Sequence, residues 1–357
     1  MSEIIVNARF LCERATGVGR LAMEVAKKLK ALYPSIKFVA HKGIYYTELA
    51  AQLEVETFGV LKRMPWEQIE LPSYLIRKHK NAILLNLANS APLLYTKNVV
   101  CIADVLWKRN PEWYSKKSLY YFNFLIPRIV KRSLKVLTIS EFSKSEICTL
   151  FKVPPDKVQV FSCAVSEDFI RLEGDYKYSE LNERYILSVS SIDPRKNLIR
   201  LIEAYRKLEL YKKGIKLYLV GQRYKAFPDI NFELSLEELK YIIFTGYVSD
   251  EELVALYKNA CIFVYPTLGE GFGLPPLEAM SKGCPVITSK ITSLPDVCGD
   301  AAYYIDPHSI ESIAEGISTL IESESLRKDF SARGLEQVKR FSWELAAQHI
   351  YELIKGA

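Results

Sequence analysis

Short apolar runs that alternate with helix-period segments constrain the fold of this 357-residue chain more than any other feature. The runs are rich in Val, Ile and Leu without polar alternation, which is typical of strands buried on both faces of a parallel sheet. A helix-period segment follows most runs, and the pattern occurs in two blocks, so it predicts two doubly wound α/β domains. The candidate strands are 3–8, 36–40, 82–88, 98–103, 134–140 and 157–162, then 185–190, 215–221, 241–246, 261–266, 285–289 and 301–306.

A polar stretch at 171–184 separates the two blocks and is the predicted linker. We therefore expect a first domain over 1–170 and a second domain over 171–340. The remaining residues, 341–357, are expected to form a helix that packs back on the first domain.

Capping residues mark several helix ends in the second block. Ser249 with Glu252 three residues later is a capping box. Ser342 is predicted to cap the last helix, which Gly356 closes, and Gly283 suits the position after another helix.

The composition is that of a soluble globular protein, with 49% hydrophobic and 25% charged residues. No apolar run is long enough to span a bilayer, and the opening SEIIVNARF predicts no signal peptide. Seven single cysteines without a C-x-x-C pair predict a reduced, cytoplasmic compartment. The four histidines are dispersed and form no metal-ligand pattern.

The net charge of +6 is unevenly distributed. Residues 1–170 hold 25 Lys+Arg against 15 Asp+Glu, which gives +10, and residues 171–357 hold 23 against 27, which gives −4. The first half therefore favours an anionic partner, such as a phosphorylated acceptor, a membrane surface or nucleic acid. The alternative is charge that serves solubility alone.

Two glutamates, Glu270 and Glu278, flank a loop rich in glycine and proline within the stretch GEGFGLPPLEAMSKG. The stretch follows the candidate strand 261–266, and its adjacent prolines suit a helix start. Residues 267–274 are therefore predicted to form a strand-to-helix loop at the carboxyl end of a parallel strand, where ligands of open α/β sheets bind.

The chemistry of this loop fits a nucleotide sugar. Gly271 and Gly273 let the backbone approach a ligand, and the helix start offers N–H groups to a phosphate. Ionised carboxylates accept hydrogen bonds from hydroxyl groups. The alternative is an ordinary turn with an exposed Glu270 and a helix-surface Glu278.

Two further segments support an anion site. Arg195 and Lys196 stand between a strand and a helix-period segment, where they can bind a diphosphate; the alternative is a solvated basic turn. Gly17 and Gly19 open an amphipathic helix and match G-x-G-x-x-A, the dinucleotide fingerprint. That fingerprint is disfavoured because the glycines do not follow strand 3–8 directly and the next strand ends without an acid. A glycine-rich loop facing the interdomain cleft is the expectation.

These residues together resemble the retaining glycosyltransferases of family 4, the group 1 glycosyltransferases. The resemblance covers nearly the whole chain and is strongest over 246–307. PRKN (194–197), GVGR (17–20), WEQIELP (66–72) and SEFSKSEI (140–147) also look like family segments. The resemblance implies the GT-B fold, in which two Rossmann-like domains face each other across a cleft. The first domain would be the acceptor side, and the second would bind the nucleotide-sugar donor.

The resemblance also implies residue roles. Glu270 would hold hydroxyls of the donor sugar and Glu278 the ribose, while Arg195 and Lys196 would stabilise the leaving diphosphate without a metal or a cofactor. Val248 would contact the base. The catalytic residues so implied are Glu270, Arg195, Lys196 and Asp104. The nucleotide-binding residues so implied are Gly17, Val18, Gly19, Val248, Gly271, Phe272, Gly273, Leu274 and Glu278.

The chain departs from the family pattern at three places. Ala103-Asp104 stands where members often carry His-Asp, so we expect altered contacts to the outer hydroxyls of the sugar and weigh a 6-deoxy sugar such as rhamnose or fucose. Cys163-Ala164-Val165 replaces Asn-Gly-Val. Ser191 replaces a phosphate-binding arginine, so the cation pair at 195–196 is expected to carry more of that role.

The segment 113–135 contains six basic residues and no acid. Arg128, Lys131, Arg132 and Lys135 recur at the spacing of one helix face. This face can rest on anionic lipid headgroups or guide a phosphate-linked acceptor. The alternative is a solvated basic face, and nucleic acid is not expected because no recognition motif accompanies the charge.

The sequence therefore predicts a cytoplasmic, peripheral-membrane transferase associated with the inner face of the membrane. It would move a hexosyl or deoxyhexosyl group, mannose- or rhamnose-like, from a nucleotide diphosphate sugar to a glycan or lipid-linked glycan acceptor in cell-surface polysaccharide synthesis. Two alternatives are a nucleotide-sugar epimerase and a non-catalytic nucleotide-sugar-binding protein on the same fold.

Overall fold

The computed structural model describes residues 3–14, 17–174, 178, 183–222 and 232–356. The chain divides into two compact units. The first comprises Met1–Arg109, Lys116–Cys163 and Ser342–Ala357, and the second comprises Asn110–Ser115 and Ala164–Phe341.

Over the described residues, the first unit holds a seven-stranded parallel sheet in the order β3-β2-β1-β4-β5-β6-β7. The second unit holds a six-stranded parallel sheet in the order β10-β9-β8-β11-β12-β13. The strands are β1 (Ile4–Asn7), β2 (Lys37–Ala40), β3 (Glu56–Thr57), β4 (Ile83–Asn86), β5 (Asn98–Cys101), β6 (Lys135–Thr138), β7 (Val158–Val160), β8 (Tyr185–Val189), β9 (Lys216–Val220), β10 (Ile242–Gly246), β11 (Ile262–Tyr265), β12 (Val286–Ser289) and β13 (Ala302–Ile305).

The helices cover the sheets. They are α1 (Gly17–Leu32), α2 (Thr47–Gln52), α3 (Arg63–Pro65), α4 (Leu71–Lys78), α5 (Leu106–Arg109), α6 (Lys116–Arg132), α7 (Glu141–Phe151), α8 (Glu167–Arg171), α9 (Leu198–Lys207), α10 (Asp250–Asn259), α11 (Leu274–Ser281), α12 (Leu294–Cys298), α13 (Ile310–Glu322), α14 (Glu324–Val338) and α15 (Trp343–Lys355). A π turn, Trp66–Glu70, joins α3 to α4.

The predicted α/β fold with two doubly wound sheets is confirmed. All twelve candidate strands are present, and most are buried along their length, as their apolar sequences predict. β3 escaped prediction since it has only two residues, both polar and exposed at a sheet edge.

Domain boundaries fall slightly differently from those expected. The second unit begins at Ala164 because α8 packs within it: the ring of Phe169 meets Tyr257, and Lys282 donates to the carbonyl of Ile170 at 2.9 Å. Part of the predicted linker, 171–184, lies outside the described residues. The last helix, α15, belongs to the first unit and packs against α1.

The capping predictions are confirmed. Both hydrogen bonds of the Ser249–Glu252 capping box form, Ser342 caps α15, and Gly283 follows α11 with φ +72. Gly356 closes α15 as its C-cap residue, with φ −86.

Two local predictions are wrong. Gly17 to Gly19 are the first turn of α1 and not a loop, since a helix start accommodates glycine without a special backbone conformation. Lys135 lies in β6, after α6 has ended at Arg132, so the predicted four-residue basic face loses one member.

Gly221, directly after β9, provides a test of how tightly the sheet edge is packed. Its φ is +140, and an added Cβ would lie 1.8 Å from the carbonyl oxygen of Ser190. We expect Gly221→Ala to lower the free energy of unfolding by about 3 kcal/mol or more, because backbone strain and a clash with main chain add.

Gly214→Ala is the matched control, since φ is +68 there but nothing lies within 4 Å of an added Cβ. It should cost about 1–2 kcal/mol, the strain of the left-handed region alone. Urea unfolding of both variants measures the difference, and equal losses would contradict the described packing at Ser190.

Candidate active site

The candidate site lies where neighbouring chain connections diverge in the second sheet. β8 and β11 are adjacent, and the chain runs from β8 to β9 on one side but from β11 to β12 on the other. Ligands of open α/β sheets bind outside the carboxyl ends of strands at such a switch point. The loops that follow β8 and β11 carry Arg195, Lys196 and Glu270.

The loop after β8 is built around Asp193, which is fully buried. Its Oδ1 accepts the backbone N–H of Arg195 at 3.0 Å, and its Oδ2 accepts the Ser191 hydroxyl at 2.6 Å. These bonds hold a 3-10 turn, Pro194–Lys196. The two cations therefore sit on a fixed turn and not on a solvated one.

Asn197 joins this loop to its neighbours. It has a left-handed φ of 59, which asparagine tolerates, and its Nδ2 donates to the carbonyls of Pro266 at 2.9 Å and Pro307 at 2.7 Å. The carbonyl of Arg195 accepts the N–H of Leu268 at 2.7 Å. The loops after β8 and β11 are thus bonded to each other through their main chains.

The loop after β11 depends on one glycine and one serine. Gly273 has φ +115, and a Cβ there would lie 2.6 Å from the Cδ2 of Leu294, so only glycine fits. The Ser293 hydroxyl is buried and donates to the carbonyls of Glu270 at 3.1 Å and Phe272 at 2.8 Å. Hydrogen bonds from Ser293, directly before α12, therefore fix the loop.

Glu270 and Lys196 form a buried ion pair between these two loops. Their exposed fractions are 9% and 7%, and Lys196 Nζ lies 2.5 Å from Glu270 Oε1. Tyr265 completes the network, since its hydroxyl accepts from Lys196 Nζ at 2.8 Å and donates to Glu270 Oε1 at 3.0 Å. Thr267 donates to the same oxygen at 3.1 Å.

The protonation of the pair follows from these contacts. Burial favours a higher pKa for Glu270, but the charges of Lys196 and Arg195 and the hydrogen bonds from Lys196 and Tyr265 outweigh it, so the pKa is lowered. Burial lowers the pKa of Lys196, and the charge of Glu270 opposes that shift. Glu270 is accordingly a carboxylate at neutral pH, which can accept hydrogen bonds only.

Glu270 has one oxygen available for a ligand. All three hydrogen bonds that the carboxylate accepts within the described residues go to Oε1, and none goes to Oε2. The network therefore fixes the carboxylate by one oxygen and leaves the other to accept a hydroxyl.

A group of backbone N–H donors follows Glu270. Within the described residues, the N–H groups of Phe272, Gly273 and Leu274 make no hydrogen bond. Pro275 and Pro276 come next at the start of α11 and carry no N–H. The amides of 272–274 are therefore the donors that this helix start presents to an anion.

Glu278 lies one turn further along α11 and is half-buried. Its Oε2 accepts the Tyr257 hydroxyl at 3.4 Å. Burial first, and the charge of Glu278 second, raise the pKa of Tyr257, so the hydroxyl stays protonated and remains a donor.

A cavity of about 570 Å³ lies at the carboxyl ends of β8, β9 and β10. The rings of Phe232 and Phe244 line it with their centroids 5.1 Å apart, which gives it an aromatic wall. Its other lining residues are Ile192, Gly221, Gln222 and Gly246. Val248 is buried two residues beyond Gly246 and is not among the described residues that line the cavity, so its predicted contact with a base stays a prediction.

The other predicted site residues belong to the first unit. Asp104 follows β5 and its Oδ1 accepts the N–H of Leu106 at 3.1 Å, which fixes the start of α5. Gly17, Val18 and Gly19 start α1. Their predicted roles in catalysis and nucleotide binding stay predictions.

Sequence reasoning missed Tyr265, Thr267 and Ser293, although all three hold Glu270. Tyr265 reads as an ordinary strand residue, because the sequence of one strand does not show which side chains from other segments it will contact.

Among the described residues, no group of three His, Cys, Asp or Glu side chains is arranged to hold a metal ion. No helix of the described chain is long and apolar enough to cross a membrane.

The two doubly wound sheets are those of the GT-B fold, which solved glycosyltransferase structures share. The crystal structure of Anabaena Alr3699/HepE in complex with UDP superposes with a TM-score of 0.76 at 15% identity, and covers 100% of both chains. That of WaaG, a glycosyltransferase involved in lipopolysaccharide biosynthesis, superposes with a TM-score of 0.71 at 16% identity, again over 100% of both. The predicted GT-B fold is confirmed.

The sequence comparisons give the family. Residues 177–337 match the family model of group 1 glycosyl transferases. The O-antigen chain mannosyltransferase B of Escherichia coli is 31% identical over 355 residues, which cover 92% of this chain and 93% of that protein. The chain belongs to the group 1 glycosyltransferases, and the prediction of a glycosyltransferase is confirmed.

Tyr265→Phe tests the network around Glu270. The change removes a donor to Glu270 and an acceptor for Lys196, so we expect it to lower the free energy of unfolding by about 1.5–3 kcal/mol, the usual value for hydrogen bonds to charged groups. Transfer activity should fall with it, since Glu270 loses a contact that orients it.

Tyr205→Phe is the control, because Tyr205 is equally buried and its hydroxyl donates to the neutral carbonyl of Ile215 at 2.5 Å. It should cost about 0.5–1.5 kcal/mol and leave transfer unchanged. Denaturation curves and initial transfer rates measure the two effects. If the Tyr265 variant matched the Tyr205 variant in both, the Tyr265 hydroxyl would not orient Glu270 for transfer.

Proposed function

We propose that this protein transfers a mannosyl group, with retention of configuration, from a nucleoside diphosphate mannose to a growing cell-surface glycan. The mannosyltransferase that aligns over nearly the whole chain supports mannose over the 6-deoxy sugars weighed from Ala103. That protein is an O-antigen chain mannosyltransferase, which supports a glycan acceptor. Membership of a transferase family speaks against an epimerase.

One observation carries the proposal: Glu270 is fixed by three hydrogen bonds on Oε1 while Oε2 takes none from the described residues. A donor sugar has hydroxyls to offer that oxygen. The amides of 272–274 bind the diphosphate in the same loop, and Glu278 on the following helix accepts from the ribose.

The base of the nucleotide occupies the cavity at the ends of β8, β9 and β10. Its aromatic wall, Phe232 and Phe244, suits a planar ring. Arg195, with 15% of its side chain exposed, and Lys196 supply positive charge as the diphosphate leaves. Such fixed charges stabilise a leaving group without reorganisation, and no metal is needed for that step.

Glu278→Gln tests the ribose contact. We expect it to weaken nucleoside diphosphate binding by about 1–3 kcal/mol, roughly 5- to 150-fold, because a charged hydrogen bond is lost. Thermal stabilisation by UDP, GDP, dTDP and ADP, each with and without magnesium, measures the affinity and identifies the base.

Glu315→Gln is the matched control, since Glu315 is exposed on α13 of the same unit. The Glu315 variant should bind nucleoside diphosphates as tightly as the natural protein does. Unchanged nucleotide binding in the Glu278 variant would contradict the assignment of Glu278 to the ribose. If none of the nucleotides stabilised the natural protein, the proposed function would be contradicted.

We also propose that α6 rests on an anionic membrane at the cytoplasmic face. Two exposed aromatic residues are flanked by exposed basic residues at helical spacing: Lys117, Tyr120, Phe124, Arg128 and Lys131. Tyr120 and Phe124 are 78% and 50% exposed, and the Arg128 guanidinium stacks 4.0 Å from the centroid of the Phe124 ring. Aromatic side chains flanked by cations suit the interface of an anionic bilayer.

Arg128→Gln with Lys131→Gln tests this surface. Each basic residue near an anionic surface contributes about 1 kcal/mol, so the double variant should bind vesicles of phosphatidylcholine and phosphatidylglycerol roughly 30-fold more weakly. Sedimentation with the vesicles measures binding. Arg77→Gln with Lys80→Gln makes the same charge change at exposed positions of the same unit and should bind as before; equal losses would indicate attraction by net charge alone.

A further inference from the structure

A second buried polar cluster lies in the first unit, centred on Glu67 in the π turn Trp66–Glu70. Glu67 is 1% exposed. Its Oε2 accepts from Asn7 Nδ2 at 3.0 Å and from Arg9 Nε at 2.9 Å, and its Oε1 accepts from Gln68 Nε2 at 3.3 Å and from the Ser90 hydroxyl. Both oxygens are therefore occupied, and Glu67 can act only by holding its partners.

This cluster occupies the switch point of the first sheet. Asn7 ends β1 and Ser90 follows β4; these strands are neighbours, and the chain runs from β1 to β2 but from β4 to β5. The donor residues after β8 and β11 occupy the corresponding place in the second sheet. Open α/β sheets bind ligands at this place, and π turns frequently occur at functional sites.

Arg9 is the member of the cluster that can reach a ligand. Its side chain is 17% exposed, and only Nε bonds to Glu67. Within the described residues, its terminal nitrogens make no hydrogen bond, and the Glu13 carboxylate oxygen lies 3.8 Å from Nη1, beyond hydrogen-bond distance. Four of the five guanidinium N–H donors are thus available, in an orientation that Glu67 fixes.

His41 provides a second donor at the same sheet edge. It is 2% exposed at the end of β2, and its Nδ1 accepts the N–H of Gly43 at 3.0 Å, so the neutral ring carries its proton on Nε2. Nε2 has no hydrogen-bond partner among the described residues. Burial first, and the charge of Arg9 second, lower the pKa of His41, which keeps the ring neutral.

The charges of the cluster select a neutral, hydroxyl-rich ligand over a phosphate. The Arg9 guanidinium is paired with Glu67 at 2.9 Å, and Glu13, 3.8 Å from Arg9, is itself paired with Arg63 at 3.3 Å. These two cations and two carboxylates balance, so they leave no net charge to attract an anion. A sugar hydroxyl or ring oxygen needs no net charge, because it accepts directly from the guanidinium N–H groups.

We propose that this cluster binds the terminal neutral hexose of the acceptor glycan through its hydroxyl oxygens. The inference rests on the proposed function, because it concerns the acceptor of the same transfer. Arg9 is a specificity-determining residue that contacts the sugar. Glu67 is a positioning residue that acts through Arg9.

Steady-state transfer from nucleoside diphosphate mannose to an α-linked mannobiose glycoside tests the inference. Arg9→Ala should raise the KM for the mannobiose glycoside at least tenfold, while the KM for the donor and nucleotide release in the absence of acceptor stay within twofold. Arg9→Lys keeps the charge but loses the fork, and should raise the acceptor KM nearly as much. Glu67→Gln should raise it too, with donor parameters unchanged.

Arg77→Ala is the control, since Arg77 is an exposed arginine of the same unit and should leave every parameter unchanged. An acceptor KM within twofold of the natural value in Arg9→Ala would overturn the proposal. So would inhibition by pyrophosphate, competitive with the mannobiose glycoside, that disappears in Arg9→Ala, since it would show an anion site. If the natural protein releases no nucleotide from any nucleoside diphosphate mannose, the proposed function itself fails.

Where the Arg9 variants do not fold, the natural protein decides the question. With 15N-labelled arginine, the Nε–H resonance of Arg9 should shift on titration with the mannobiose glycoside. An Arg9 resonance that stays in place at saturating glycoside would overturn the proposal.

Discussion

The arrangement of the second unit depends on the buried contact between Lys196 and Glu270. Taking two charges out of water costs more than their attraction returns unless the remaining polar groups are also satisfied. Tyr265 and Thr267 provide that satisfaction from the end of β11. Because each charge sits on a different loop, the pair also fixes the loops after β8 and β11 relative to each other, and with them the amides that follow Glu270. An electrostatic site that is rigid before the ligand arrives stabilises developing charge without reorganisation.

The two sheets use the same topological position in opposite ways. At the second sheet, a cation and two hydroxyls occupy one oxygen of a carboxylate, and the other oxygen remains to accept hydrogen bonds. At the first sheet, both oxygens of Glu67 are occupied, and the nitrogens of Arg9 remain to donate them. In the functions we propose, a buried carboxylate is therefore a ligand-facing group in one unit and a support in the other. The difference lies in how many donors surround it, which residue type alone does not reveal.

The strands and the glutamate loop could be predicted because their signals are local. A strand buried on both faces must be apolar throughout, and two prolines after a glycine-rich turn mark a helix start. The contact between Lys196 and Glu270 joins residues 74 positions apart, so no local pattern indicates it. The same holds for Tyr265, which reads as a strand residue, and for Glu67, which lies in a segment whose π turn has no sequence signature. For Lys135 a local pattern was misleading. Its spacing from Arg128, Lys131 and Arg132 fits a helix face, but the helix ends at Arg132 and Lys135 lies in the next strand.

The chain path has a consequence for the order in which the protein is made. Residues 342–356 complete the first unit, yet they follow the whole of the second unit in the sequence. As synthesis proceeds from the N-terminus, the second unit emerges in full while the first still lacks α15, whose Tyr351 ring stacks on Tyr33, the residue after α1, with centroids 3.5 Å apart. The surface of α1 that contacts α15 therefore stays uncovered while the second unit is translated. The first unit is thus the first to be synthesised and the last to be completed.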